Sequence, residues 1–307
     1  MCYECSLGGE QGLCPSCRAL AEPGAFPFKR SDFSFGELFS YVLEAFKREW
    51  LMLSLAVLVF FAVVFAVAIV SNLVTQVLVG VTSFAVDAKS HAAVLPVLAV
   101  TLIGTVVGMV IQMVAQGFVM LGLYRMLIDV LDGRKADLAR MFSQVRKLGR
   151  YVVLNLILMV ITYLPVLAVL GVAFGGVLLS SGLHLADFQV DQLEQLLGAR
   201  AIGLVGLAAL VVLLYAIWMF PLWLFGVPEL VVSEASALEA LQRAWQMASG
   251  LRLTAFGYSF MAGLVMLVGV ILCCVGALPA MAIAYLLNLA LFLAARNDPD
   301  FSFPARE

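Results

Sequence analysis

RMLIDVLDGRKADLARMFSQVRKLGRY, residues 125 to 151, lies between two long apolar runs and holds seven of the eighteen lysines and arginines: Arg125, Arg134, Lys135, Arg140, Arg146, Lys147 and Arg150. Short loops rich in Lys and Arg stay on the cytoplasmic side of a membrane. This stretch therefore orients every apolar run around it. Of 307 residues, 64% are hydrophobic and 12% charged, and the mean hydropathy is +1.06. A soluble domain carries about a quarter charged residues, so the composition is that of an integral membrane protein. The net charge of -2 offers nothing for nucleic acid.

Upstream, residues 50–86 and 90–124 contain no charged side chain, counting His91 as neutral. Each run exceeds the roughly 20 residues that cross about 30 Å of hydrocarbon, but is too short for two spans and a turn. One helix is predicted in each, over 51–78 and 97–125, with Pro96 suited to the first turn of the second. Downstream, 151–179 reads as a third span with Pro165 as a kink site. The next loop carries Asp187, Asp191 and Glu194 against Arg200 and is expected outside, with a short amphipathic surface helix of its own. Residues 201–226 form the fourth span, and Tyr215, Trp218, Trp223 and Phe225 make an aromatic belt at its cytoplasmic end. From Leu253 to Ala295 no residue is charged. As one helix that run would be about 65 Å long, so 276–279 is predicted as a tight external turn between a fifth and a sixth span. Only Lys89 and Arg200 among the basic residues then fall outside. The fold class is an all-α integral membrane protein with six transmembrane helices and both termini cytoplasmic, and a bacterial inner membrane is the implied setting.

Three segments, 34–49, 138–149 and 237–249, read as interfacial amphipathic helices. Ser34 with Glu37 and Ser236 with Glu239 have the spacing of capping boxes. Each segment leads into a pair of spans, about a hundred residues after the last, which would make a parallel threefold hairpin repeat.

Residues 1–20, MCYECSLGGEQGLCPSCRAL, differ from all of this. Cys2, Cys5, Cys14 and Cys17 form two C-x-x-C knuckles that offer four thiolates to a tetrahedral ion. Structural zinc suits such a site, and four cysteines leave no open position for catalysis. Iron takes the same ligands, and a redox or incidental role is the remaining alternative. Twenty polar residues cannot bury a core and need such a staple. A linker (21–33), the membrane domain (34–296) and a cytoplasmic tail (297–307) follow. No apolar segment occurs in the first fifty or so residues, so no cleaved leader is expected.

Polar side chains within the spans are Asn72, Gln76, Gln112, Gln116, Asn155, Tyr163, Tyr285 and Asn288. They read as interhelical hydrogen-bonding groups or, alternatively, as the lining of a substrate path. No acid, base or histidine is predicted near the centre of a span, which argues against proton-coupled transport. His91 and His184 lack partners spaced for catalysis. Cys273 and Cys274 read as small apolar residues, and Gly104, Gly108, Gly171, Gly175 and Gly263 as sites of close helix packing.

Residues 117–156, GFVMLGLYRMLIDVLDGRKADLARMFSQVRKLGRYVVLNL, and 234–257, with Glu239, Ala240, Leu241, Arg243, Trp245 and Gly250, carry a likeness. Over about 33–296 the chain resembles uncharacterised bacterial six-span membrane proteins similar to the membrane domain of glycerophosphodiester phosphodiesterases. Here Ala244 stands in place of a common Ser. The resemblance implies the six-span architecture, and hydrolase activity does not carry over. The expected function is a non-enzymatic scaffold or partner-recruiting protein in envelope or lipid-related assembly, with the lipid bilayer and a protein at the cytoplasmic face as partners. The alternative is a transporter or channel for a neutral or lipidic substrate.

Overall fold

The computed structural model describes residues 26–30, 34–85, 94–181, 199–271 and 274–297. They contain seven α-helices: α1 (Phe35–Ala85), α2 (Val94–Leu131), α3 (Leu148–Ser181), α4 (Ala199–Val232), α5 (Ala237–Ala248), α6 (Arg252–Ile271) and α7 (Cys274–Arg296). No strand occurs among the described residues. Six of the helices, all but α5, are long and apolar enough to cross a membrane. The cysteine knuckles, the acidic loop, His91, His184, Cys273 and all of the tail but Asn297 lie outside the described residues.

Helix α7 is the hub. It packs on α6 and α1 and also touches α2 and α4, while α1 pairs with α2 and α3 with α4. Leu286, Leu287, Leu291, Phe292 and Leu293 are fully enclosed by these neighbours. Leu51, Phe65, Ile103, Leu164, Leu213 and Leu267 are exposed on the outer faces. Such a surface would be a very large apolar patch in water, and helices long and apolar enough to cross a membrane carry it.

Both capping boxes are present. Ser34 Oγ accepts the Glu37 N–H while Glu37 accepts the Ser34 N–H, and Ser236 and Glu239 do the same. Helix α1 is broken at Glu49 (φ -128°, ψ 24°), where the predicted amphipathic segment ends and the span begins. Leu38, Val42 and Ala45 of that segment are buried in the protein core, and its apolar face is thus taken up largely by the chain itself. Phe26 and Phe28, in the segment read as a linker, are buried against Tyr41.

Three boundaries differ from expectation. Residues 138–149 are not one amphipathic α-helix; they form two 3₁₀ turns, Leu138–Phe142 and Val145–Lys147, before α3 starts. The chain here is pressed onto α2. Met141 is buried, and a Cβ at Gly122 would collide with the Met141 carbonyl. Secondly, 276–279 is not a turn. These residues belong to α7, which already begins at Cys274, three residues after α6 ends at Ile271. Gly269 of α6 lies directly against Ala280 and the Gly276 carbonyl, which requires α7 to be helical already at that level; Pro279, near the helix start, loses a single backbone bond. Thirdly, α4 continues past residue 226 through Pro228 to Val232. Lys147 Nζ donates to the Val231 and Ser233 carbonyls at 3.1 and 3.0 Å, satisfying acceptors that a helix C-terminus leaves open.

Candidate functional site

Two arrangements of side chains stand out, and the first is a layer of charge at the end of the bundle that carries the basic stretch. Helix α2 ends in a Schellman motif, with Gly133 at φ 84°, Arg134 N–H donating to the Asp129 carbonyl and Gly133 N–H to that of Val130; the left-handed residue is one that glycine adopts at no cost. The turn folds the basic stretch back over its own helix. Asp129, nearly enclosed, then receives Arg125, Arg134 and Arg140. Lys147 and Arg150 reach Glu234 at 3.3 and 2.7 Å, and the Arg150 hydrogen bond, helped by Lys147, holds the Glu234 carboxyl below the usual range. Five of the seven basic residues are therefore fastened to the protein, and Lys135 and Arg146 remain exposed.

Deeper in the same layer, Glu229 at 0% exposure accepts Arg243 Nη1 on one oxygen and Arg296 Nε on the other, both at 3.0 Å. Three helices, α4, α5 and α7, meet at this carboxylate. Around it, Arg48 donates to the Val130 carbonyl, Tyr41 to that of Leu131 and Arg30 to that of Ser249. Ser249 and Gly250 (φ 79°) form the centre of a type II turn closed by Leu251 N–H on the Ala248 carbonyl, the turn type that calls for glycine at its third position.

The second arrangement is a cleft of about 630 Å³ between α1, α4, α6 and α7, lined by Phe61, Phe220, Phe256, Phe260, Met281 and Tyr285. Its wall carries one polar pair, Ser259 Oγ donating to Asn288 Oδ1 at 3.0 Å.

The polar residues named from the sequence do not converge. Asn288 and Tyr285 line this cleft. Gln112 lines a separate groove of about 310 Å³ between α1 and α2 with Ser71, Asn72 and Thr75, and donates to the Val64 carbonyl. Asn155 is bonded to its own helix at Tyr151, and Gln76, Gln116 and Tyr163 are exposed on the bundle surface. Gly104 and Gly108 pack on Thr75 and Ser71 of the same chain, whereas Gly171, Gly175 and Gly263 face open space. Cys274 begins α7. The proposed metal ligands Cys2, Cys5, Cys14 and Cys17 lie outside the described residues, among which no cluster of three or more His, Cys, Asp or Glu could hold an ion.

Sequence reasoning missed Glu229 and its pairing with Arg243 and Arg296. One signal was available: an acid within FGVPELVV, an otherwise apolar stretch, costs too much to bury without cationic partners. No family model, curated protein or solved structure matches the chain.

Proposed function

We propose that this protein is a non-enzymatic membrane scaffold that recruits a partner at its cytoplasmic face, in envelope or lipid-related assembly. The observation that carries this reading is the interlocked charge layer. Glu229 joins α4, α5 and α7, Glu234 joins α3 to the α4–α5 connection, and Asp129 holds the basic turn on the end of α2, while Lys135 and Arg146 stay exposed. The buried Glu229 pairs at the centre of this layer are costly to open, which favours display over the rocking that alternating access needs. In this reading the positive-inside rule puts the layer and both termini in the cytoplasm, and a zinc knuckle at Cys2, Cys5, Cys14 and Cys17 adds a second contact for the partner. The three segments that lead into span pairs fit a threefold repeat, although they take different forms.

A photo-crosslinking amino acid at Lys135 or Arg146, in cells carrying the full chain, tests this. A discrete protein adduct that disappears when residues 1–20 are deleted is expected. Adducts to lipid alone, or a protein adduct indifferent to the deletion, would overturn the scaffold reading.

A further inference from the structure

We infer that the cleft beside α6 is a binding site for one anionic phospholipid, its phosphate on Arg252 and an acyl chain between α6 and α7. This goes beyond the scaffold reading and stands or falls on separate evidence.

Arg252 opens α6. Its guanidinium carbon lies 4.2 Å from the centroid of the Trp218 ring and 4.8 Å from that of Trp245, and the two indoles meet edge to face at 4.9 Å. The aromatic faces hold the cation in place but leave its charge without an anion: among the described residues no carboxylate pairs with Arg252, in contrast to Arg125, Arg134, Arg140, Arg150, Arg243 and Arg296. Tryptophans around a cation at the end of a span belong to the headgroup level. An anionic headgroup is the complement in reach.

The cleft begins one turn further on. Phe256 follows Arg252 by four residues, about 6 Å of helix rise on the same face, and its ring meets Phe220, two residues beyond Trp218. Both phenylalanines line the cleft. Its volume falls within the roughly 300–1,000 Å³ of small-molecule sites, and its walls are almost wholly apolar. Asn288, whose Oδ1 is occupied by Ser259, keeps its amide N–H groups for an ester carbonyl. A cation one helical turn before the cleft, an amide donor on its wall and apolar side chains around that donor offer complements to the phosphate, the ester and the acyl chain of a phospholipid.

The test uses the full chain in nanodiscs containing phosphatidylglycerol with a diazirine on its acyl chain, and the adducts are mapped by peptide mass spectrometry. Labelling concentrated in residues 256–266 and 281–288 is expected. Arg252→Gln should lower it about fivefold, the change expected for one interfacial cation. Gly263→Phe should abolish it without disturbing the fold, because Gly263 lines the cleft and a Cβ added there would meet nothing within 4 Å. Labelling spread evenly over the exposed helices, or unaffected by Gly263→Phe, would overturn the site. Equal labelling from phosphatidylcholine, unaffected by Arg252→Gln, would overturn the anionic headgroup.

Discussion

Arg296, the last residue of α7, donates its Nε to Glu229 Oε2 at 3.0 Å across 67 residues of sequence. This contact joins the most enclosed span of the bundle to α4, and Arg243 completes it from α5. Two cations share one enclosed carboxylate. Glu229→Gln would leave the enclosed Arg296 and the half-buried Arg243 without an anion, at a cost of about 3–5 kcal/mol. Thermal unfolding in detergent micelles should show the loss. Replacing Glu229, Arg243 and Arg296 together by methionine should recover most of it, because no charge is then stranded. A single variant as stable as the parent would show that the pair contributes nothing.

Two glycines on α2 make a sharper comparison. A Cβ at Gly117 would meet the ring of the buried Tyr151, a side chain that can shift at some cost, but one at Gly122 would meet the Met141 backbone, which cannot. Gly122→Ala should therefore destabilise by about 1–3 kcal/mol, as overpacking does. Gly117→Ala should cost less, because the obstacle is a side chain and because removing a helix glycine returns about 1 kcal/mol. The order of the two melting temperatures checks this, and the reverse order would contradict the seating of the basic stretch on α2.

What could be read from the sequence was local or periodic. The capping boxes join residues three apart, and the spans follow from unbroken apolar runs. Glu229 could not be paired by inspection, because its partners lie 14 and 67 residues away. The basic stretch was legible as a count of charges; Arg125 lies one helical turn before Asp129, but that Arg134 and Arg140 join it there depends on the turn at Gly133. The extra length of α4 and the early start of α7 depend on tertiary contacts of Lys147 and Gly269, which periodicity does not contain.

The Glu234 tie sets a pH dependence. Its carboxyl is held below the ordinary value by Arg150 and then Lys147. A carboxyl with a depressed folded-state pKa stabilises the protein above its unfolded value, about 4.3, and that contribution fades as pH falls through the folded value. The side chain is half exposed, so solvent screening keeps the effect small. The difference in melting temperature between the parent and Glu234→Gln should be constant above about pH 5 and shrink below about pH 4. A difference that grows in acid would have the wrong sign for this mechanism.

Orientation is tested by single cysteines in a background in which the native six are replaced. With the charge layer in the cytoplasm, Lys135→Cys and Arg146→Cys, at exposed positions, should react with an impermeant maleimide only after the membrane is opened. Asp191→Cys should react in intact cells. Labelling of position 191 from the cytoplasm alone would invert the assignment.

The last prediction concerns Cys2, Cys5, Cys14 and Cys17, proposed as ligands of one zinc ion in the cytoplasm. The location follows from the proposed topology, since Lys29, Arg30, Lys47 and Arg48 precede the first span and hold the head on their own side. A reducing compartment keeps the four thiols from pairing as disulfides, and zinc then supplies folding free energy that twenty polar residues cannot draw from burial. The purified protein should contain about one zinc per chain, the stoichiometry of a four-cysteine site. Cys14→Ser should release it, since three thiolates hold the ion less well. Unfolding of the membrane domain should not change, because twenty mainly polar residues stapled by the ion offer it little apolar surface. Zinc retained in Cys14→Ser would put the ion elsewhere, and iron in its place would change the metal while keeping the ligands.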